Sequence, residues 1–344
     1  MQKIQLASDN WSGCPQFVTD SIVESSSYSG AAYGKDSYSL KLEAEIKALF
    51  LCDELKIHLV SNGTAANVLG ISSLLMPHEA VLCSEVSHLH VDECGSMERL
   101  GGNKLILLPE TDGKISLSAL EMAACTSMDV HRVRPRILSL SQPTEYGTIY
   151  SEEEIKSISR LCQKYNLLLH MDGARIANAI CKLKKDWLQS LPSLGISVLS
   201  FGFMKNGGAL GELLINFVKD SFERMQYSQK QLLQLNSKQR LVSAQILSLM
   251  YQDRYLDLAR HANKMASLLK DGLLNLGYIP TRSVDSNCVF VCLPPKIQTE
   301  LAKHCDFYEW NNLTNEVRLL CSWSTSPNEI ETFLKLLAQI TKGT

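Results

Sequence analysis

The chain has 344 residues, of which 34 are basic and 36 are acidic, so its formal charge is only −2. It contains no block of like charges of the kind that binds a phosphate backbone or an anionic lipid surface, which argues against nucleic acid and membranes as partners. No apolar run approaches the roughly 18 residues of a membrane span, and the first residues, MQKIQLASDNWSG, lack the apolar core of a signal peptide. We therefore expect a cytoplasmic protein.

Eleven cysteines are scattered from Cys14 to Cys321 without a CxxC pair. Disulfide frameworks and zinc sites use closer and paired spacing, so we expect reduced thiols that pack as small apolar side chains. His88 and His90 have no third potential ligand at a suitable spacing, and no metal site is expected.

The first informative segment is HLVSNGTAANVLGISSLL, which follows a predicted helix over residues 38–51. The pattern predicts a short strand, a glycine turn and a second helix. Gly63 permits close backbone approach and Thr64 offers a hydroxyl, while the free N–H groups of a helix start favour an anion. We interpret this turn as a phosphate site; the alternative is an ordinary turn between a strand and a helix.

The middle of the chain predicts a strand–helix–strand unit. Residues 137–142 and 167–172 are strand-like, and between them Ser151 and Glu154 form a capping box at the start of an amphipathic helix. Because such a unit belongs to a parallel sheet, Glu145 and Asp172 are expected at the same sheet edge.

An acid and a lysine follow two of the predicted buried strands. Asp172 closes the apolar run LLLHM, and Lys205 follows VLSF inside a glycine-rich turn. The carboxyl ends of parallel strands open into the crevice where α/β proteins bind ligands. One carboxylate and one amine there suggest a pyridoxal phosphate site, with the lysine as a Schiff base and the aspartate on the pyridine nitrogen. Two solvated caps, or an ordinary ion pair, are the alternative.

Beyond Lys205 we expect the strand GELLINF, a helical region over residues 220–276, and alternating strands and helices to the end. The predicted fold is therefore α/β, with a mainly parallel central sheet that has helices on both faces and a smaller C-terminal α+β domain. We place the large coenzyme-binding domain at residues 1–240 and the small domain at residues 241–344.

Eight blocks of the sequence occur in the order and spacing typical of one family. They are ASDNWSG, AYGKDS, SNGTAAN, SHLHVDECG, SQPTEYGTIY, HMDGAR, MKNGGALGE and VRLLCSW. With these blocks the chain resembles the low-specificity threonine aldolases of the β-eliminating lyase group, pyridoxal-phosphate enzymes with the aminotransferase-like fold type I. The resemblance covers nearly the whole chain. It implies cleavage of threonine or allo-threonine to glycine and acetaldehyde.

The resemblance also implies roles for individual residues. It makes Lys205 the residue that carries the coenzyme, stacks His88 on the pyridine ring, and places Arg175 near the coenzyme and substrate. Arg318 would bind the substrate α-carboxylate, with Ser8 near the same group. A strand position between apolar neighbours is also an unfavourable place for an unpaired guanidinium, which independently favours an anionic partner for Arg318.

Glu145 stands where one branch of the family has a histidine close to the substrate hydroxyl. A carboxylate there could act as the catalytic base if burial raises its pKa. Alternatively, Glu145 only orients His88 or caps the following turn. The role of Glu93, in the same block as His88, is left open.

Three further residues carry an implication about assembly. In similar enzymes the side chains at the positions of Tyr33, Lys230 and Arg240 reach across a subunit interface toward the site and its phosphate. The resemblance thus implies a homo-oligomer, a dimer or a tetramer, with shared active sites. Alternatively, Lys230 and Arg240 lie in a polar stretch whose charges only face water.

One departure from the family bears on the coenzyme. Many relatives have a threonine directly before the lysine, where this chain has Met204, so a hydroxyl that could contact the phosphate is absent. The alternatives to aldol cleavage are another reaction on the same coenzyme, such as β-elimination or transamination, and a non-catalytic coenzyme-binding protein. The sequence does not decide which β-hydroxy amino acid is preferred, or its stereochemistry.

Overall fold

The computed structural model describes residues 3–125 and 129–343. Its strands are, in chain order, β1 (Ile4–Gln5), β2 (Lys56–Val60), β3 (Glu79–Ser84), β4 (Lys104–Leu108), β5 (Glu110–Thr111), β6 (Lys114–Ile115), β7 (Arg134–Ser141), β8 (Leu168–Gly173), β9 (Ile196–Phe201), β10 (Glu212–Asn216), β11 (Cys288–Cys292), β12 (Cys305–Asp306), β13 (Tyr308–Asn311) and β14 (Glu316–Leu320).

The α-helices are α1 (Gln16–Ser27), α2 (Ser37–Phe50), α3 (Gly63–Ser72), α4 (His88–Val91), α5 (Leu117–Ala124), α6 (Glu152–Lys164), α7 (Ile176–Leu183), α8 (Trp187–Ser190), α9 (Phe222–Gln231), α10 (Arg240–Met250), α11 (Arg254–Asn275), α12 (Pro295–Leu301) and α13 (Pro327–Gly343). Short helical turns include Met204–Asn206, which contains Lys205. In the described part of the chain, no helix combines the length and the apolar character needed to cross a bilayer.

A seven-stranded sheet with the order β2-β10-β9-β8-β7-β3-β4 forms the centre of the molecule. The pairs from β9 to β4 are all parallel, whereas β10 is antiparallel to both of its neighbours, β9 and β2. The prediction of a mainly parallel sheet is confirmed. The antiparallel orientation of β10 was not predicted, because an apolar run does not reveal strand direction.

Helices cover both faces of this sheet, as the sequence predicts. Alternate residues of a strand point to opposite faces. Leu213 and Ile215 accordingly pack into the large core with α2, α6 and α10, while Leu214 between them packs with α3 and α9. The capping box at the start of α6 is present: the Glu154 amide donates to Ser151 Oγ at 3.2 Å, and the Ser151 amide donates to Glu154 Oε2 at 2.6 Å.

A second hydrophobic cluster lies around the three-stranded antiparallel sheet β11-β14-β13. It includes β11, β14, α12 and α13, and also Ile4 and Leu6 near the start of the chain. Helix α11 joins the two cores, because Tyr255 and Ala259 pack into the large one and Met265 and Leu269 into the second. The division of the chain at residue 240 stays a prediction.

The loops after β8 and β9 pack against each other. A Cβ at Gly202, directly after β9, would collide with the backbone carbonyl of Ala174, directly after β8. Only glycine permits this approach. The close contact fixes the spacing between the end of β8, which carries Asp172, and the turn after β9, which carries Lys205.

We therefore expect Gly202→Ala to lower the free energy of unfolding by about 1–3 kcal/mol, because the added methyl forces the two loops apart. Urea unfolding measures the change. Gly13→Ala is the matched control, since no heavy atom lies within 4 Å of a Cβ at that position. Equal stability of the two variants would contradict the close packing of these loops.

Candidate active site

A cavity of about 430 Å³ opens at the carboxyl edge of the central sheet, beside the second core. Eight of the residues singled out in the sequence line it: Ser8, Gly63, His88, Glu145, Asp172, Arg175, Lys205 and Arg318. They come from seven separate segments of the chain. The topology therefore brings together most of the residues that the sequence motifs indicated.

Asp172 lies near the end of β8, between Ser141 on β7 and Ser200 on β9. Its carboxylate accepts hydrogen bonds from Asn67 Nδ2 at 2.8 Å and from the Ala174 amide at 2.9 Å. Burial raises the pKa of the Asp172 carboxyl, but the charges of His88 and Lys205, together with these hydrogen bonds, lower it more. The net pKa shift is downward, so Asp172 is an anion that can keep a bound ring nitrogen protonated.

Lys205 lies in the helical turn after β9. Burial and the charge of Arg175 lower the pKa of its amine, against the opposing effect of Asp9 and Asp172. A lowered pKa increases the neutral fraction of an amine, which is the form that attacks a carbonyl carbon. Lys205 thus has the environment of a nucleophilic lysine.

The backbone before Lys205 is held by a buried carboxylate. Glu212, the first residue of β10, accepts from the Phe203 amide at 2.5 Å and from the Met204 amide at 3.3 Å. Met204 itself does not line the cavity. The turn before Lys205 is therefore fixed by hydrogen bonds from its main chain to Glu212.

His88 is oriented by Glu93. Its Nδ1 lies 2.9 Å from Glu93 Oε1, which also accepts from Asn67 Nδ2 at 2.8 Å. The hydrogen bond to Glu93 raises the pKa of His88, with burial opposing it. Asn67 therefore links the carboxylates of Glu93 and Asp172, and a role for Glu93 that the sequence left open becomes visible.

Ligand atoms of His88, Glu93 and Asp172 lie within 4.8 Å of one another, as they would around a metal ion. In this group, however, the Glu93 carboxylate is bound to His88 and Asn67, and the Asp172 carboxylate is bound to Asn67 and the Ala174 amide. The cluster is better described as a hydrogen-bond network that fixes one imidazole and one carboxylate.

Glu145 lies in the wall of the same cavity. Its Oε1 accepts from the His88 amide at 2.8 Å and from Ser141 Oγ at 2.6 Å. Burial raises the pKa of Glu145 above its ordinary value, although both hydrogen bonds oppose this shift. Glu145 thus contacts the backbone of His88, whereas orientation of the imidazole falls to Glu93.

The two arginines of the cavity differ in their partners. Arg175 forms a two-point ion pair with the buried Asp9, from Nε to Oδ2 at 2.6 Å and from Nη2 to Oδ1 at 2.9 Å. Arg318 makes one long hydrogen bond, from Nη2 to the Ala7 carbonyl at 3.4 Å, and its buried Nε has no partner among the described residues. Burial lowers the pKa of Arg318. Of the two arginines, only Arg318 lacks a carboxylate partner among the described residues.

The start of α3 supplies free backbone donors at the cavity. Asn62 caps the helix by accepting from the Ala65 amide at 2.8 Å, and its carbonyl accepts from the Ala66 amide. The amides of Gly63 and Thr64 have no hydrogen-bond partner in the described part of the chain. A Cβ at Gly63 would meet no atom within 4 Å, so an anion has room there.

Four residues indicated by the motifs lie outside this cavity. Thr64 lines a neighbouring cavity of about 400 Å³, which borders the first one at Asp92. Tyr33 is exposed, with Lys230 Nζ 5.7 Å from its ring centre. Arg240 is buried and donates from Nε to the Ser25 carbonyl at 3.3 Å. Within a single chain, neither basic residue reaches the site.

The sequence reasoning missed several residues that shape the cavity. Asp9 and Asn67 lie inside the motifs ASDNWSG and SNGTAAN, so their blocks were a signal that each has a role. Tyr308 and Trp310 line the cavity from β13, where no motif marked them.

Comparison with known proteins agrees with this geometry. The beta-eliminating lyase family model matches residues 5–294. A low specificity L-threonine aldolase of Pseudomonas aeruginosa is 36% identical over 93% of each chain, and one of another Pseudomonas strain is 35% identical over 94% of each. A threonine aldolase structure from Leishmania major superposes with a TM-score of 0.92 at 30% identity, covering 98% of this chain and 99% of the other. The predicted fold type I architecture is confirmed, and the chain belongs to the beta-eliminating lyase family.

Proposed function

We propose that this protein is a pyridoxal-phosphate-dependent aldolase that cleaves threonine and allo-threonine to glycine and acetaldehyde. The observation that carries the proposal is the cavity that is lined by Lys205, by Asp172 and by Arg318, which has no carboxylate partner in the described part of the chain. Relatives similar over nearly the full chain are named low specificity L-threonine aldolases. The reaction class is that of a carbon–carbon lyase.

The residues present fit the coenzyme. Asp172 would hold the pyridine nitrogen, Lys205 the carbonyl carbon, and His88 the face of the ring. The amides of Gly63 and Thr64 offer donors to the phosphate. When bound, pyridoxal phosphate supplies an electron sink for a bond that breaks at the substrate α-carbon. Met204 offers no hydroxyl to the phosphate, but the backbone of the turn before Lys205 is still held, by hydrogen bonds from the Phe203 and Met204 amides to Glu212.

Arg318 orients the substrate through its α-carboxylate. A guanidinium matches a carboxylate at two points, and such charge-assisted contacts are strong in a site shielded from water. Ser8 and the remaining donors of Arg175 lie at the same cavity. By fixing the carboxylate, Arg318 would orient the substrate so that its Cα–Cβ bond is the one that breaks with the help of the bound coenzyme.

Glu145 removes the proton of the substrate β-hydroxyl. As the Cα–Cβ bond breaks, the hydroxyl oxygen becomes the carbonyl oxygen of acetaldehyde, and its proton passes to a Glu145 carboxylate oxygen. The α-carbon gains one proton to complete glycine, and Glu145 gives up the proton that it took, so the overall reaction neither releases nor consumes protons. Burial raises the pKa of Glu145 toward neutral pH, and a carboxylate with a higher pKa is a stronger base.

Product analysis tests the function, and Lys205→Ala tests its key residue. Threonine should give glycine and acetaldehyde in equal amounts; β-elimination would instead give a 2-oxo acid and ammonia. Borohydride reduction followed by peptide mapping should leave the pyridoxyl group on Lys205. Lys205→Ala should lose both the label and the cleavage.

Lys219→Ala is the matched control, because Lys219 is exposed and pairs with Glu54 at the surface. It should keep the label and the activity. A label on another lysine, or an oxo acid as the main product, would contradict the proposal.

Glu145→Gln should slow threonine cleavage by about 10²–10⁴-fold while leaving coenzyme binding intact, because the amide keeps the shape but is not a base. A base must be deprotonated to act, so the rate of the unchanged protein should fall as the pH drops below the raised pKa of Glu145. The variant should lack this acidic limb. Near-normal cleavage by Glu145→Gln, or an unchanged pH profile, would reject the base role.

We also propose that the protein is a homo-oligomer. Tyr33 and Lys230 are exposed on one chain and stand outside its own cavity, so their implied contribution requires a neighbour, and so does that of Arg240. A dimer or a tetramer meets this requirement. A cytoplasmic location also stays a prediction.

Light scattering on the coenzyme-loaded protein should therefore return at least twice the chain mass of 38.3 kDa. Lys230→Ala should weaken pyridoxal phosphate binding, because it removes a positive charge near the phosphate. A single-chain mass from a protein that cleaves threonine at full rate would contradict the shared site.

A further inference from the structure

Arg318 lies on the central strand of the small antiparallel sheet, with an aromatic residue opposite it on each side. Its register partner on β13 is Tyr308, and its register partner on β11 is Phe290. Cross-strand neighbours of this kind are the closest side-chain pairs in a sheet. The surroundings of Arg318 are therefore fixed by the pairing of three strands.

Two aromatic rings lie within contact distance of the guanidinium. Its carbon is 4.9 Å from the ring centre of Tyr308 and 5.1 Å from that of Trp310. A cation held over an aromatic face at such a distance is attracted by the negative charge density of the ring. Both rings also line the cavity.

These rings are themselves held in place. Trp310 packs against Phe290 with ring centres 5.1 Å apart and against Tyr146 at 5.9 Å, both edge to face. Tyr308 packs more loosely, edge to face with Trp11 at 6.4 Å, and is 41% exposed. Trp310 is thus held by two aromatic neighbours, while Tyr308 has one and is partly exposed to solvent.

The contrast with Arg175 shows what such an environment does. Arg175 is held by a carboxylate, and the charge of Asp9 compensates its own. An aromatic ring attracts the guanidinium without a formal negative charge, so the full charge stays available to a ligand. The Nε of Arg318 is buried and has no hydrogen-bond partner among the described residues, so no acceptor of the protein holds that side of the guanidinium.

We propose that Tyr308 and Trp310 are positioning residues that clamp the Arg318 guanidinium for the substrate α-carboxylate. This inference rests on the proposed function, in which Arg318 binds that group. Without the clamp, the guanidinium of a long side chain has more orientations to lose when the substrate binds. The clamp therefore strengthens the carboxylate contact specifically.

A pair of ligands isolates this contact. Glycine and methylamine both offer an amine to the coenzyme-loaded protein, but only glycine has a carboxylate. The ratio of their dissociation constants, measured from the change in visible absorbance on binding, reports the contribution of the carboxylate. This binding measurement does not require turnover.

Tyr308→Leu should raise the dissociation constant of glycine by roughly 3- to 30-fold, the range of a partly shielded cation–ring contact, and leave that of methylamine unchanged. Tyr308→Phe keeps the ring and should keep the ratio of the unchanged protein. Trp310→Leu should act in the same direction as Tyr308→Leu. Because Tyr308 is 41% exposed, its variants carry little risk of misfolding, and their unfolding midpoints serve as the check.

The possible outcomes distinguish a failure of the aromatic clamp from a failure of the role proposed for Arg318. A large ratio in the unchanged protein that is preserved in Tyr308→Leu and Trp310→Leu would overturn the clamp alone. Equal weakening of both ligands would overturn it too, because a general disturbance of the site does not distinguish carboxylates. A ratio near one in the unchanged protein, together with no effect of Arg318→Ala, would overturn the proposed role of Arg318 itself.

Discussion

Compensation of charge in a confined space is the constraint on which this site depends. The sheet edge gathers Asp9, Asp172, Arg175 and Lys205, and a charge removed from water needs a partner. Asp9 pairs with Arg175 at two points. The negative charge of Asp172 is stabilised by the charges of His88 and Lys205. Arg318 alone among the cavity arginines lacks an acidic partner in the described residues. We propose that this difference between the two arginines makes Arg318 the one that binds a carboxylate.

Much of the fold and part of the site could be predicted from the sequence. The strand and helix periods located β8 and β9, and the ends of these strands predicted that Asp172 and Lys205 would meet, because parallel strands share an edge. The direction of β10 and the path of α11 through both cores could not be predicted, since they depend on long-range packing. Pairings such as Arg175 with Asp9, 166 residues apart, leave no local pattern.

Contacts in the structure add detail to what the motifs indicate. Glu93 was seen in its motif, but only the structure shows that it binds the His88 imidazole. Met204 looked like the loss of a phosphate contact, yet Glu212 fixes the same turn through two backbone amides. Burial raises the pKa of Glu212 to about 8, with both amides opposing. Tyr308 and Trp310 act on Arg318 from a strand that no motif marked.

A crystal structure of the protein with pyridoxal phosphate and glycine tests the central claim most directly. We expect the glycine carboxylate on the Arg318 guanidinium, with Asp9 still paired to Arg175 and Tyr308 still against Arg318. A carboxylate bound away from Arg318, or bound by an Arg175 that has released Asp9, would show that the compensated arginine supplies the charge and would contradict the division of roles argued above.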